Sequence, residues 1–457
     1  MIQAFDKYLT QKTEAAPLAA FRVLFGAVMF VSILRFWHNG WIEKLYIDPT
    51  FFFSYYGFEF IKPLGQYTYV IFIICGIASL CVAFGYKYRL AIVTFFISFT
   101  YIELMDKTTY LNHYYFVSVV SFLMVFLPAH TYFSIDAKNE ETARELVPVW
   151  TIDAVKLLIA IVYFYAGLAK LNSDWLVQAM PLKIWLPSNY DLPILGGLLQ
   201  QQWAHYAFSW AGAVYDLSIP FLLFYKRTRW FAFGMVVAFH LLTSLLFPIG
   251  MFPFIMIICA LIFFDARIHK IILAKMAWVM KTSLSEFNNG KEWMFKSKWG
   301  MKATYFVVLL FFMVQLALPF RQLFYPGELF WTEEGFRFSW RVMLMEKAGH
   351  ANFKVVDPES GTRFYVQNND FLTPLQEKQM SVQPDFILQF AHYLEQYFSQ
   401  KEAYKGKDLQ VFVESHVALN GRRSKPYIDP TRDLTIEKES FRHKDWILPF
   451  GDEIKGL

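Results

Sequence analysis

Nine stretches of this chain are apolar for long enough to cross, or nearly cross, a lipid bilayer, and that recurrence restricts its fold more than any other feature. They lie at 17–37, 67–85, 89–105, 109–128, 150–170, 206–225, 230–247, 250–264 and 303–320. A helix needs about 20 residues to traverse the hydrocarbon core, and a backbone in lipid must satisfy its own hydrogen bonds, so such runs are expected to be helices. Charged residues make up only 18% of the chain, against about 25% in a typical soluble domain. The eighth run is short and follows Pro248, Gly250 and Pro253, so it reads as a broken or re-entrant segment whose backbone is sheltered by protein.

The placement of charge gives an orientation. Lys7, Lys12, Lys87, Arg89, Lys138, Arg144, Lys226, Arg227 and Arg229 fall in connections on one side, with the eight Lys and Arg residues from Arg267 to Lys302. The other side carries only Lys44, Lys62, Lys107, Lys170 and Lys183. Basic connections stay cytosolic, so the N-terminus is expected in the cytosol and, after nine spans, the tail outside. The first 16 residues are polar, and no small-residue cleavage site follows the first apolar run, so that run is expected to remain as an anchor. No basic, aromatic-interleaved surface for nucleic acid can be assembled. Cys75, Cys81 and Cys259 all fall in apolar runs, which leaves neither a disulfide framework nor a Cys/His metal set.

From about residue 321 the long apolar runs stop. Asn352 to Val356 and Arg363 to Val366 flank the turn cluster Asp357-Pro358-Glu359-Ser360-Gly361, the pattern of a hairpin. Pro384 opens a helix with an apolar face of Phe386, Ile387, Phe390, Tyr393, Leu394, Tyr397 and Phe398. Leu409, Val411 and Val413 alternate as a strand, and Asn420-Gly421 is a second turn. The expected architecture is a polytopic α-helical membrane protein of about nine spans, 1–320, with a small extracytoplasmic α+β domain, 321–457.

Polar residues within apolar runs are functional candidates because lipid makes them costly. Arg22 lies deep in the first run, with Asp216 in the sixth as a partner for a structural ion pair, and Arg35 sits where it can snorkel. Asn112 and His113 enter the fourth run from a polar turn, and His113 shares a helical face with Thr109. This pair reads either as a helix–helix hydrogen bond or as a site. Lys170 closes the fifth run, where a lysine either complements the helix dipole or sits partly buried, able to act as a base. His240 in the seventh run reads as a satisfied core residue or as part of a site. By the orientation above, Lys107, His113, Lys170 and the 248–251 loop all lie toward the outer side.

Several strings, in order along the chain, resemble the vitamin K-dependent γ-glutamyl carboxylases. They are FRVLFG in the first run, DKTTYLNHYYF at the third outer turn, VYFYAGLAKLNSDW in the fifth run and DLSIPFLLF in the sixth. FHLLTSLLFPIGMFPF spans the seventh and eighth, and FSWRVML and IDPTRDL lie in the tail. The fifth-run element, similar to that family's YF-x-AG-x-x-KL-x-x-DW, is the most specific.

The resemblance implies an enzyme that oxidises a reduced naphthoquinone, phylloquinol or menaquinol, to its epoxide with oxygen. That reaction is coupled to carboxylation of a glutamate in a peptide or protein by carbon dioxide, without a metal. It implies Lys170 as the base that deprotonates the quinol, with Tyr165 and Leu168 as apolar walls disfavouring its charged form. It places Asn112 and His113 at the quinone, adds His240, and makes Met343 a pocket wall from the outer domain. Such chemistry requires a dry chamber, set here at the extracytoplasmic edge where a lipid-borne quinone can enter.

There are departures. Ala169 stands where the animal members carry a second lysine, and their outer disulfide has no counterpart. The short tail points to a bacterial-type member in the inner membrane rather than the endoplasmic reticulum. Two other readings follow: quinol epoxidation without carboxylation, and a non-catalytic membrane protein that binds a quinone or solute.

Overall fold

The computed structural model of the chain describes residues 2–456. A short strand pair, β1 (Lys12–Glu14) with β2 (Leu146–Pro148), ties the N-terminal segment to the start of the fifth apolar run. The apolar runs then form α1 (Ala16–His38), α2 (Thr68–Phe84), α3 (Tyr88–Leu104), α4 (Asn112–Phe126), α5 (Val149–Leu168), α6 (Gln202–Phe224), α7 (Arg229–Leu246) and α8 (Phe252–Ala260). After them come α9 (Ala266–Val279) and α10 (Lys298–Ala317). Among the described residues, six helical segments are long and apolar enough to cross a membrane: α1, α2 with its preceding turn, α5, α6, α7 and α10 with its following turn. The α4 helix and α8 with its 3-10 extension are apolar but shorter.

Two glycines set the closest helix approaches. A Cβ on Gly26 of α1 would lie 2.6 Å from the Ser79 carbonyl oxygen and the Ala83 nitrogen of α2. A Cβ on Gly167 of α5 would lie 2.8 Å from the Leu217 nitrogen of α6. Small residues let helix backbones meet where there is no hydrophobic drive between lipid-solvated helices.

The two ends of the bundle differ in kind. At one end Lys270 meets Glu14 and Glu145, Lys12 donates to the Trp293 carbonyl, and Arg229 pairs with Asp265 at 3.3 Å. The α5 helix leaves that end at β2, and just beyond its far end Asp174 meets Arg422 of the tail. Eleven residues separate Arg229 from His240, a rise of about 16 Å at 1.5 Å per residue. Phe252, the first residue of α8, packs against His240 at 5.7 Å between ring centroids. The 247–251 connection therefore dips into the bundle before α8 returns toward Asp265.

The tail continues with β3 (Lys347–Val356), β4 (Arg363–Tyr365), α11 (Pro374–Met380), α12 (Pro384–Ser399), β5 (Gln410–Leu419) and β6 (Lys425–Pro426). The sheet is antiparallel in the order β4-β3-β5-β6, with Val356 opposite Arg363 across the hairpin and Phe353 opposite Val413. β5 alternates buried and half-buried residues along its whole length. Its inner row, with Phe353 and Val355 of β3, packs on Phe386, Phe390 and Leu394 of α12. The same core takes in Phe53, Trp175, Leu182 and Leu199 from outer connections of the bundle.

The Arg22–Asp216 pairing expected from sequence does not form. Arg22, fully buried, donates to the carbonyls of Val82 at 2.9 Å, Ala83 at 2.7 Å and Phe133. The last carbonyls of a helix lack intrahelical partners and carry its negative dipole end. The close α1–α2 packing brings a five-donor guanidinium to those of α2 instead of to a distant carboxylate.

Candidate functional site

The face of α5 that meets α6 is built at helical spacing. Tyr163, Gly167 and Lys170 recur at i, i+4 and i+7, so they form one stripe. Because Gly167 lets α6 approach, the Lys170 ammonium donates to Asp216 Oδ2 at 2.7 Å and to the Ala166 carbonyl at 3.2 Å. Lys170 is 6% and Asp216 5% exposed, so this is an ion pair out of solvent. The Trp175 ring lies 5.2 Å from Lys170 Nζ, and its indole donates to the Ser209 carbonyl. Asp174, next to it, is wholly buried and accepts from Arg422 at 2.6 and 2.7 Å and from Asn420 at 2.8 Å. The two motif residues after Lys170 thus have separate tasks: Trp175 covers the ion pair, and Asp174 clamps the outer domain.

Tyr165 does not wall Lys170. Five residues at about 100° each turn it well away from the lysine around the helix. Its hydroxyl donates to the Leu316 carbonyl of α10 at 2.8 Å, and its ring packs on Phe320.

Asn112 and His113 open α4 at the rim of a cavity of about 590 Å³, inside the roughly 300–1,000 Å³ range of small-molecule sites. Phe36, Trp41, Leu45, Phe252, Val342 and Met343 give it apolar walls, and Arg35, Tyr110, Asn112, His113 and Gln379 give it polar points. Asn112 is already engaged. Its amide donates to the Arg341 carbonyl at 2.7 Å and its oxygen accepts from the Tyr110 hydroxyl at 3.2 Å. It therefore tethers the outer wall of the cavity to α4. Three residues of that wall segment, Phe338, Trp340 and Met343, hold left-handed backbone at φ 62°, 58° and 54°. Non-glycine residues adopt this only when their surroundings enforce it.

The His113 ring is flanked by Tyr114 at 4.6 Å and Phe252 at 5.6 Å and makes no hydrogen bond among the described residues. Gly250, at φ +63°, brings the dipping connection against it: a Cβ there would lie 4.0 Å from His113 Nε2 and 3.4 Å from Arg35 Nη1. Arg35 stacks on Trp41 at 4.8 Å.

His240 packs edge-on against Phe252, whose ring also contacts the His113 imidazole. Its Nε2 is 2.8 Å from the Tyr163 hydroxyl, and Nδ1 is buried without a partner. Tyr163 in turn packs on Tyr215, the neighbour of Asp216. The structure thus brings His113 and Met343 to one cavity. Lys170 and His240 are not among its lining residues; His240 sits behind the cavity's Phe252. Tyr163 and Phe252 join the two groups, and only Tyr163 left a sequence signal, its place on the stripe of Lys170.

Lys107 does not face this cavity. Its amine is buried, 2.7 Å from Asp385, which also accepts from Arg337 at 2.7 Å. Burial lowers the Lys107 ammonium below the ordinary lysine value despite Asp385. Burial alone would raise the Asp385 carboxyl, but Arg337 and Lys107 hold it far below the carboxylate range. Asp106, beside it, accepts from Thr108, Phe53 and Gln376, and burial outweighs those bonds, pushing its carboxyl up to about 6. Among the described residues no cluster of His, Cys, Asp or Glu could hold a metal ion.

An apolar helical bundle and an α+β domain together wall one cavity of small-molecule size. The HTTM domain family matches residues 10–267, and the vitamin K-dependent gamma-carboxylase, lumenal domain, matches residues 300–453. The chain belongs to the vitamin K-dependent gamma-carboxylase family: a carboxylase-like enzyme of the membrane with an extracytoplasmic domain. No solved structure matches it.

Proposed function

We propose that this chain oxidises a reduced naphthoquinone to its epoxide and couples that reaction to carboxylation of a glutamyl side chain, at the extracytoplasmic end of a nine-span bundle. Residues 1–320 form the bundle and 321–457 the outer domain in this reading. The observation that carries it is the unpartnered His113 ring facing a 590 Å³ cavity with apolar walls from both regions. A fused bicyclic ring with an oxygen at each end matches that lining. Its flat faces meet Phe252, Trp41 and Met343, and its oxygens meet His113 and Arg35. Reduced vitamin K, with oxygen, supplies the strong base that a glutamyl γ-carbon requires before it can take up carbon dioxide.

The residues of the chain have distinct tasks in this scheme. His113 hydrogen-bonds a quinol oxygen and holds the ring in register. Asn112 fixes the wall on which Met343 sits. Lys170 is the proton acceptor, and Asp216 is what allows it. Asp216, 2.7 Å from the amine, orients it and is placed to take a proton from it. In this scheme the amine must swing from Asp216 toward the cavity, whose lining it does not join in this structure. His240, fixed by Tyr163, supports Phe252 and with it the His113 ring. The fixed walls and the sheltered connection exclude the water that would quench a strong base.

The test uses detergent-purified protein with vitamin K hydroquinone, a glutamyl peptide and labelled bicarbonate. Wild type is expected to give both epoxide and labelled peptide, and Lys170→Ala neither, with an unfolding midpoint still measurable. Epoxide without label would favour quinol oxidation alone. Full turnover by Lys170→Ala would remove the lysine from the mechanism.

A further inference from the structure

A second cavity, of about 580 Å³, lies at the opposite end of the bundle from the His113 site. Val23, Ala27 and Phe30 of α1 and Leu80 and Phe84 of α2 form its floor and one side. The segment after α4 and the turn after α9 close it, through Ile135 and Met280. Lys138 stands at its edge. Its amine is exposed and makes neither an ion pair nor a hydrogen bond among the described residues. The other polar residues of the lining are already committed: Ser134 to the His130 carbonyl, Thr282 to Glu286 at 3.3 Å. Arg22, beneath, has both Nη groups engaged by backbone carbonyls.

We infer that this trough binds one acyl chain of an anionic phospholipid, with the headgroup phosphate on Lys138. The argument is one of position and charge. The trough is flanked by the exposed faces of two helices long and apolar enough to lie in a bilayer, so hydrocarbon is the solvent at its mouth. A lone free ammonium at the rim of an apolar trough is the arrangement a phosphate at headgroup depth complements. The same end carries Lys87, Arg89 and Lys281 and the acids Asp136, Glu140 and Glu141; Asp136 is turned to the Lys87 and Tyr88 backbone. Glu286 at the edge is turned to Thr282 and to the Ser283 backbone, away from a phosphate position beside Lys138. The ligand is thereby distinguished from a quinone, whose headgroup carries no charge for the lysine.

Native mass spectrometry of the full chain, titrated with phosphatidylglycerol or phosphatidylcholine of one acyl composition, tests this. The first retained lipid is expected to favour phosphatidylglycerol about fivefold, the preference that one lysine near an anionic headgroup supplies. Lys138→Gln should bring that ratio close to one. Ala27→Trp, at an exposed position lining the trough, should remove the tightly held adduct for both lipids while leaving the unfolding midpoint of lipid-free protein in place. Equal retention of the two lipids by wild type would overturn the inference. So would an unchanged adduct in Ala27→Trp, or displacement of the bound lipid by an uncharged long-chain quinone.

Discussion

Replacing Gly167 by alanine tests whether the Lys170–Asp216 pair is set by helix approach. The added methyl would lie 2.8 Å from the backbone nitrogen and from Cγ of Leu217. Carbon atoms rest at about 3.5–4.0 Å, so α5 and α6 must part by roughly 1 Å. Leu217 cannot absorb this by a rotamer change, because one of its three clashing atoms is backbone. Overpacking of this kind costs about 1–3 kcal/mol. The separation falls three residues before Lys170 and one residue after Asp216, so the 2.7 Å contact should lengthen by a similar amount. A misplacement of about 1 Å at a reacting group can cost on the order of a hundredfold in rate. The expected result is a modest fall in the unfolding midpoint with a far larger loss of epoxide formation. Gly212→Ala is the control: its Cβ would meet only Trp175, at an ordinary 3.6 Å. If Gly167→Ala lost stability yet turned over quinol at the wild-type rate, the lysine–carboxylate geometry would have no part in the chemistry.

Other outcomes follow from the same geometry. Arg422→Ala strips a bidentate partner from the buried Asp174 and should cost about 3–5 kcal/mol, read as earlier proteolysis of the outer domain. His113→Ala should weaken naphthoquinone binding by roughly tenfold, the value of one net hydrogen bond, in a fluorescence-quenching titration; undiminished affinity would place the quinone elsewhere. The Asp106 carboxyl is raised to about 6 by burial, so the folded state holds its proton more tightly than the unfolded state. Its contribution favours folding below the unfolded carboxylate value and is lost as pH rises through about 6. The unfolding midpoint should therefore decline across that window, and Asp106→Asn should flatten the decline.

Much of the fold is legible because its signals are local. The hairpin at 352–366, the apolar face of α12 and the alternation of β5 depend on periodicity, which survives in any tertiary context. The helical runs are legible by length, although α3, α4 and α8 fall short of the span that length alone demands. Partnership was not legible. Arg22 and Asp216 are both costly in lipid, and sequence offers no way to know that α1 meets α2 closely enough for Arg22 to cap its carbonyls. The stripe Tyr163, Gly167, Lys170 was readable at helical spacing, and the same arithmetic turns Tyr165 away. The left-handed backbone of Phe338, Trp340 and Met343 has no sequence signature, since nothing in a phenylalanine, tryptophan or methionine announces it.

That last segment bears on how the cavity can change during turnover. Residues in such a conformation cost about 1–3 kcal/mol each, and three within six positions persist only under restraint from Asn112 and the packed aromatic rings around them. A wall held under load behaves as a gauge of fixed bore, not as a sleeve that stretches around whatever enters. Ligands whose ring is wider than that bore should be turned away at the entrance instead of bound loosely.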